Sequence, residues 1–228
     1  MALRTRSRRI IFFVLSIVIA LAAFVVSYNF FAEKSTSLNT VEIREYKGEN
    51  LSSINDFREN SIKGLQKIDK ESYRLTIIGL VDKNMTYTYD EVLQKYESYN
   101  KVVTLHCVEG WGAKILWKGF LLKDLLKEAG VRSEAKVVIF YAYDGYSTSL
   151  PLDFLINRSI IIAYQMNGIT LPPERGFPFQ LVAESKWGYK WVKWITKIEL
   201  SDNVNYKGYW EQRGYVNNAD LNETFYAP

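Results

Sequence analysis

One cysteine and one histidine in 228 residues leave little scope for metal chemistry built from side chains alone. Cys107 cannot form an intramolecular disulfide framework, and with His106 it falls short of any Cys/His zinc site. A C-x-x-C-H haem attachment motif is missing as well. Any metal held here must bring most of its own ligands. Charge of one sign is equally scarce in the body of the chain. The net charge of +4 is concentrated in Arg4, Arg6, Arg8 and Arg9, beyond which 25 acidic side chains are matched by as many basic ones. Without a basic face, no nucleic-acid partner is expected. No internal repeat or low-complexity stretch interrupts the sequence.

What is present is a folding chain. A hydrophobic content of 48% with 15% aromatics is too rich for a disordered segment. Residues 1–9 read as a basic cytoplasmic leader. From Ile10 to Ala32 there is no charged residue, and about 20 apolar residues suffice to span a bilayer as a helix. Arginines before that run place the N-terminus inside and the rest of the chain on the extracytoplasmic side. A cleavable signal peptide is the rival reading, although the apolar run exceeds a usual signal core and shows no convincing small-x-small site. Ser7-Arg8-Arg9 also resembles a twin-arginine export signal. Residues 33–50 are polar and read as a tether, and residues 51–228 as one globular domain.

Within that domain, β-branched and aromatic runs bounded by Gly, Pro, Asn or Asp predict strands. They cover Tyr73–Leu80, Lys101–His106, Ala135–Tyr141, Ile160–Tyr164, Phe179–Val182 and Ile195–Leu200. Helical spacing of apolar residues predicts helices over Tyr89–Tyr96 and Phe120–Ala129, the second stopped by Gly130. Short strands with scattered helices and no βαβ rhythm give an α+β class with mixed β-sheets.

Cys107 stands where a strand runs into the turn Val108-Glu109-Gly110-Trp111, rigidly mounted yet reachable. Read by itself, it is a small buried hydrophobe, or a thiol nucleophile that needs a base. His106, adjacent along a strand, points to the opposite face. Thiol redox chemistry lacks a resolving cysteine.

The segment Cys107-Val108-Glu109-Gly110-Trp111, followed by Trp117-Lys118-Gly119-Phe120, resembles the cysteine segment of the sulfite-oxidase-type molybdopterin-binding domains. The similarity is greatest to the bacterial periplasmic sulfoxide reductase branch. Asp144-Gly145-Tyr146-Ser147, then Leu171 to Pro178, then Lys186 to Trp194 follow in that family's order, and the likeness runs from about Asn60 to about Asp220.

The resemblance implies a molybdenum–molybdopterin cofactor whose dithiolene brings a pair of sulfurs, with Cys107 as the protein's thiolate. It carries cofactor contacts onto Asn60, His106, Ser147, Thr148, Arg175, Lys186, Gly188, Tyr189, Lys190 and Lys193, the lysines serving the phosphate. It carries catalytic roles onto Tyr215, over the metal, and Arg213 beside it. Two positions depart from the pattern: Glu59 where a sulfite-binding arginine is expected, and Gln180 where another arginine is usual.

The function implied is transfer of an oxygen atom to or from a small, sulfur-containing substrate. Electrons would pass to or from a separate cytochrome or quinone-linked partner, and the domain is expected to be a monomer. The alternative reading is a membrane-tethered, non-catalytic binding module that keeps the fold.

Overall fold

The computed structural model describes residues 42–226. The basic leader, the apolar run 10–32 and the start of the tether lie outside the described residues. In chain order the strands are β1 (Glu45–Tyr46), β2 (Glu49–Asn50), β3 (Leu75–Gly79), β4 (Met85–Tyr87), β5 (Tyr99–His106), β6 (Gly112–Leu121), β7 (Val137–Ala142), β8 (Ser147–Pro151), β9 (Ile161–Met166), β10 (Ile169–Thr170), β11 (Gln180–Val182) and β12 (Ile195–Ser201). The helices are α1 (Tyr89–Lys95), α2 (Leu122–Ala129) and α3 (Leu152–Ile156). No described helix is long and apolar enough to cross a membrane.

Two sheets carry the domain. One runs β10–β9–β6–β5 with β11 also on β9, and all its pairings are antiparallel. The other runs β4–β3–β12–β7–β8 and is mixed, since β3 and β12 are parallel while the remaining pairs are antiparallel. Both contribute to one hydrophobic core, with Leu75, Ile77 and Ile198 from the mixed sheet and Val103, Ile115 and Trp117 from the other. The α+β class with mixed sheets and short helices is what the sequence predicts.

The sequence reading misses the short strands β1, β2, β4, β8 and β10 and, more notably, β6, the longest of all. From Ile115 onward its residues are largely buried on both faces, so alternation is confined to its first few residues, and Lys114, Lys118 and two glycines interrupt its apolar run. It also takes Phe120 and Leu121, predicted as helical, because they pair with Ile162 and Ile161 of β9. Gly119 marks a shift of register there, and a Cβ at that position would sit 2.1 Å from the Ile162 carbonyl oxygen. The start of α1 obeys local chemistry: Thr88 and Glu91 form a reciprocal capping box.

The tether expected over 33–50 is structured from Glu42 onward. Asn167 explains it, donating from Nδ2 to Glu42 Oε1 at 2.7 Å and to the Ser52 carbonyl at 2.8 Å while its Oδ1 accepts from Leu116 N at 2.9 Å. That buried side chain ties the β1–β2 ribbon to the edge of β6.

Glu128 of α2 joins helix to helix. It accepts hydrogen bonds from Tyr96 at 2.7 Å and Tyr87 at 2.9 Å and pairs with Lys95. Burial alone would raise its pKa; Lys95, Tyr96 and Tyr87 outweigh it and hold the carboxyl at about 2, below the ordinary 4.5. A depressed folded-state pKa adds stability that is present above 4.5 and is lost as pH falls toward 2. Thermal melts of Glu128→Gln are therefore expected to fall less steeply than wild type across that window. Parallel acid limbs in the two proteins would contradict the assignment.

Candidate active site

Where the β5–β6 turn, the β7–β8 turn and the loop from β11 to β12 converge, they enclose a cavity of about 430 Å³. Cys107 is the first residue past β5. Its N–H donates to the Trp111 carbonyl at 2.9 Å, and its own carbonyl accepts from Gly110 N at 3.1 Å. Gly110 has φ +87°, a left-handed turn conformation that suits glycine. The hairpin turn thus fixes the cysteine backbone and leaves its sulfur on the cavity wall. Asn60 Nδ2 is 3.8 Å from Sγ. Burial pushes the Cys107 thiol up, and the Glu109 carboxylate adds to this against opposing N–H groups of Glu109 and Val108 and the Asn60 amide. The free sulfur is accordingly a thiol at neutral pH, and a soft metal cation is what would convert it to thiolate.

Gly188 lies directly behind the cysteine. A Cβ there would meet the His106 carbonyl oxygen at 3.1 Å and Cys107 Cα at 3.6 Å, so a side chain would push this wall away from the sulfur. Among the described residues no three His, Cys, Asp or Glu side chains converge as a metal site. A single soft donor beside a cavity of organic-ligand size fits a metal that arrives with its own sulfur ligands.

Of the residues singled out from sequence, Cys107, Asn60, Arg175, Gly188, Tyr189, Lys193 and Tyr215 line this cavity. Tyr215 stacks edge-on against Tyr189 with centroids 5.0 Å apart, and burial first, then the hydroxyl of Tyr226, pushes its pKa up to about 12. Arg175 is on the wall but largely engaged by the backbone: its guanidinium donates to the carbonyls of Ile54 at 2.8 Å, Phe57 at 2.7 Å and Arg58 at 3.2 Å. It also lies over the Phe57 ring. Its contacts hold the segment that presents Asn60. Lys193 pairs with Glu59 at 2.6 Å across the cavity wall.

The remaining candidates are placed elsewhere. His106 ends β5 outside the cavity lining. Ser147 accepts from the Tyr206 hydroxyl at 2.8 Å. Thr148 and Lys190 are sealed in a buried cluster with Glu211. Lys186 is buried against Asp220 at 2.6 Å and Asn218 at 3.0 Å. Arg213 is exposed, donating to the Tyr209 carbonyl at 2.6 Å with its guanidinium over the Tyr209 ring. A lysine in a Lys-Trp-Gly-Tyr-Lys run reads from sequence as a solvated or phosphate-facing cation; here acidic residues of the C-terminal segment claim two of the three.

Sequence reasoning placed Glu59 at the substrate site but missed Glu109, Glu174 and Asp144 as cavity residues, along with Trp111, Trp194 and Trp210. Glu109 and Trp111 lie inside the cysteine motif itself. Trp111 Nε1 donates to Glu109 at 2.9 Å, and that bond, with one from Asn60, lowers the pKa of the Glu109 carboxyl.

Comparison with known proteins places these residues in context. Residues 62–210 match the family model described as "Oxidoreductase molybdopterin binding domain". The chain is 36% identical over 155 residues to "Uncharacterized oxidoreductase YuiH" of Bacillus subtilis, covering 67% of this chain and 76% of that protein. It is 30% identical over 155 residues to the "Protein-methionine-sulfoxide reductase catalytic subunit MsrP" of Pseudomonas syringae pv. tomato, covering 60% of this chain and 46% of that one. Among solved structures it resembles the sulfane dehydrogenase SoxCD of Paracoccus pantotrophus, with a TM-score of 0.59 and 26% identity over 64% of this chain and 41% of that one. The matched region thus spans about three quarters of one relative and less than half of the other two.

Proposed function

The chain belongs to the oxidoreductase molybdopterin-binding domain family, and on that premise we propose that it reduces small neutral S-oxides, with electrons delivered by a separate protein partner. It is a molybdenum-dependent oxidoreductase with a molybdenum–molybdopterin cofactor. The observation that carries the reading is Cys107, the only cysteine, on the wall of a cavity of about 430 Å³ with Gly188 clearing the space behind it.

Cys107, Asn60, Gly188, Tyr189 and Lys193 are the residues that would hold the cofactor. When bound, it supplies the oxygen-accepting centre and stores the electrons for its release. The protein's own groups do the rest. Asn60 Nδ2, 3.8 Å from Sγ, donates toward the sulfur and tempers its charge. Tyr215, its pKa near 12, keeps its hydroxyl proton at neutral pH and presents a donor to an oxygen bound in the cavity. Trp111, Trp194 and Trp210 line the same cavity and give it an apolar wall.

Charge argues for a neutral substrate. Glu59, Glu109, Glu174 and Asp144 line the cavity against Arg58, Arg175 and Lys193, and the last two cations are engaged by backbone carbonyls and by Glu59. An oxyanion meets carboxylates with little free positive charge to offset them. With reduced carrier dye, purified holoenzyme is expected to show a kcat/KM for neutral S-oxides at least about tenfold above that for nitrate, and no sulfite oxidation with an electron acceptor. Efficient sulfite oxidation would sink this assignment.

The apolar run 10–32 supports a membrane anchor that leaves the domain, as a monomer, on the extracytoplasmic side near a cytochrome or quinone-linked donor. Tethering raises the effective concentration of the two partners. Protease treatment of intact spheroplasts is expected to digest the domain.

A further inference from the structure

Lys190 is the most deeply enclosed charge among the described residues. Its side chain and that of Glu211 are both 0% exposed and pair at 2.5 Å. The same ammonium donates to Thr148 Oγ1, the Ser149 carbonyl and Asn217 Oδ1, each at 3.0 Å. An ammonium has three N–H bonds, and four acceptors already crowd this one. No donor is left for a phosphate, so the cofactor role that the resemblance implies for Lys190 does not fit this geometry.

The partners of Lys190 define a different role. Thr148 and Ser149 belong to β8, whereas Glu211 and Asn217 flank Tyr215 on the segment 206–217. That segment is strapped to β8 by further contacts. Tyr209 N donates to the Ser147 carbonyl at 2.9 Å, and a Cβ on Gly208 would lie 2.1 Å from the same oxygen, so the strap approaches the strand as closely as glycine allows. The strap in turn carries Trp210 and Tyr215, whose rings are 5.1 Å apart and line the cavity.

One short turn, Gly188–Lys190, spans the distance between sulfur and strap. Gly188 abuts Cys107, the Tyr189 hydroxyl donates to the Val216 carbonyl at 2.7 Å, and Lys190 grips Glu211 and Asn217. Glu211 Oε2 is buried with no hydrogen-bond partner. A buried ion pair that leaves one oxygen unsatisfied is a poor way to stabilise a fold, since an apolar pair of the same volume does as well or better. Placement of the strap is what this pair provides that an apolar pair does not.

We propose that Lys190 and Glu211 are positioning residues, forming a buried ionic latch that fixes the strap and so sets Trp210 and Tyr215 over the Cys107 cavity. The role assigned to Tyr215 at the reacting oxygen rests on the proposed function; the latch itself does not. Access to the sulfur reads it directly, because Cys107 is the only thiol in the chain.

The test uses the full chain prepared in a host that cannot make the cofactor, with the rate of Cys107 modification by an aromatic disulfide as the readout. Lys190→Met/Glu211→Leu, with wild-type circular dichroism, is expected to raise that rate at least about tenfold. Tyr215→Ala opens the same wall, and adding it to the double variant gives little further increase. In the loaded enzyme the double variant raises KM more than it lowers kcat.

A folded double variant that is modified at the wild-type rate would overturn the proposal. Should that variant fail to fold, Thr148→Val, which removes the hydrogen bonds that Thr148 Oγ1 accepts from Lys190 and donates to Glu211 but spares the ion pair, is expected to raise the rate about two- to fivefold, and a wild-type rate there overturns it equally. Because these rates are measured without cofactor, they stand whether or not the S-oxide assignment does.

Discussion

Cys107→Ser is expected to lower S-oxide turnover by more than about 100-fold while leaving the fold and its melting temperature nearly unchanged. Replacing even an outer contact of a metal ligand costs about 10–100-fold, and this change replaces the ligand itself. Serine is close in volume, and the turn is fixed through backbone bonds of Cys107 with Trp111 and Gly110 that do not involve the sulfur. A hydroxyl is a harder donor and remains protonated where a thiol yields to a soft metal. The competing view, in which Cys107 is only a small buried hydrophobe, makes the opposite forecast. Placing a hydroxyl in an apolar site would then cost about 1–3 kcal/mol of stability and spare activity. Paired measurements of melting temperature and turnover separate the two.

Lys190→Met alone is expected to be the most destabilising single change among the polar residues discussed. It leaves the Glu211 carboxylate buried with its cation removed, beside an oxygen that already lacks a donor. Breaking a buried pair in this way costs about 3–5 kcal/mol. For a domain of this size that corresponds to a fall in melting temperature on the order of 10 °C. Both side chains are 0% exposed, and that burial pushes the Lys190 pKa down against the pull of Glu211. Adding Glu211→Leu to Lys190→Met removes the stranded charge and is expected to recover most of the loss in calorimetry. A single variant as stable as wild type would show that the pair is hydrated and not sealed.

The contrast between Lys190 and Cys107 shows what a sequence can and cannot disclose about this site. Cys107 was legible from its own surroundings, a strand end running into a Gly-containing turn, whereas Asn60, Gly188 and Tyr215 were reached only through the family resemblance; all four line the cavity. Lys186, Lys190 and Thr148 were placed at the cofactor by the family resemblance, and in the structure their side chains meet partners 21–63 residues away. Lysine in a Gly-containing basic run carries no local sign of the carboxylate that will neutralise it.

The same limit governs the fold. Strands with β-branched runs, such as β7 and β12, were evident, whereas β6 was hidden because burial on both faces from Ile115 onward erased the alternation over most of its length. Arg175 was given a cofactor contact because the family resemblance carries one onto its position. Three carbonyls of the 54–58 segment claim it instead, a pairing across more than a hundred residues that periodicity does not encode.

The Cys107 sulfur is the one protein atom assigned to the coordination of the metal. X-ray absorption at the molybdenum edge of the purified holoenzyme, set beside Cys107→Ser, tests this directly. One sulfur neighbour fewer in the variant, with the pterin sulfurs retained, is the predicted result. An identical sulfur count in the two proteins would contradict it.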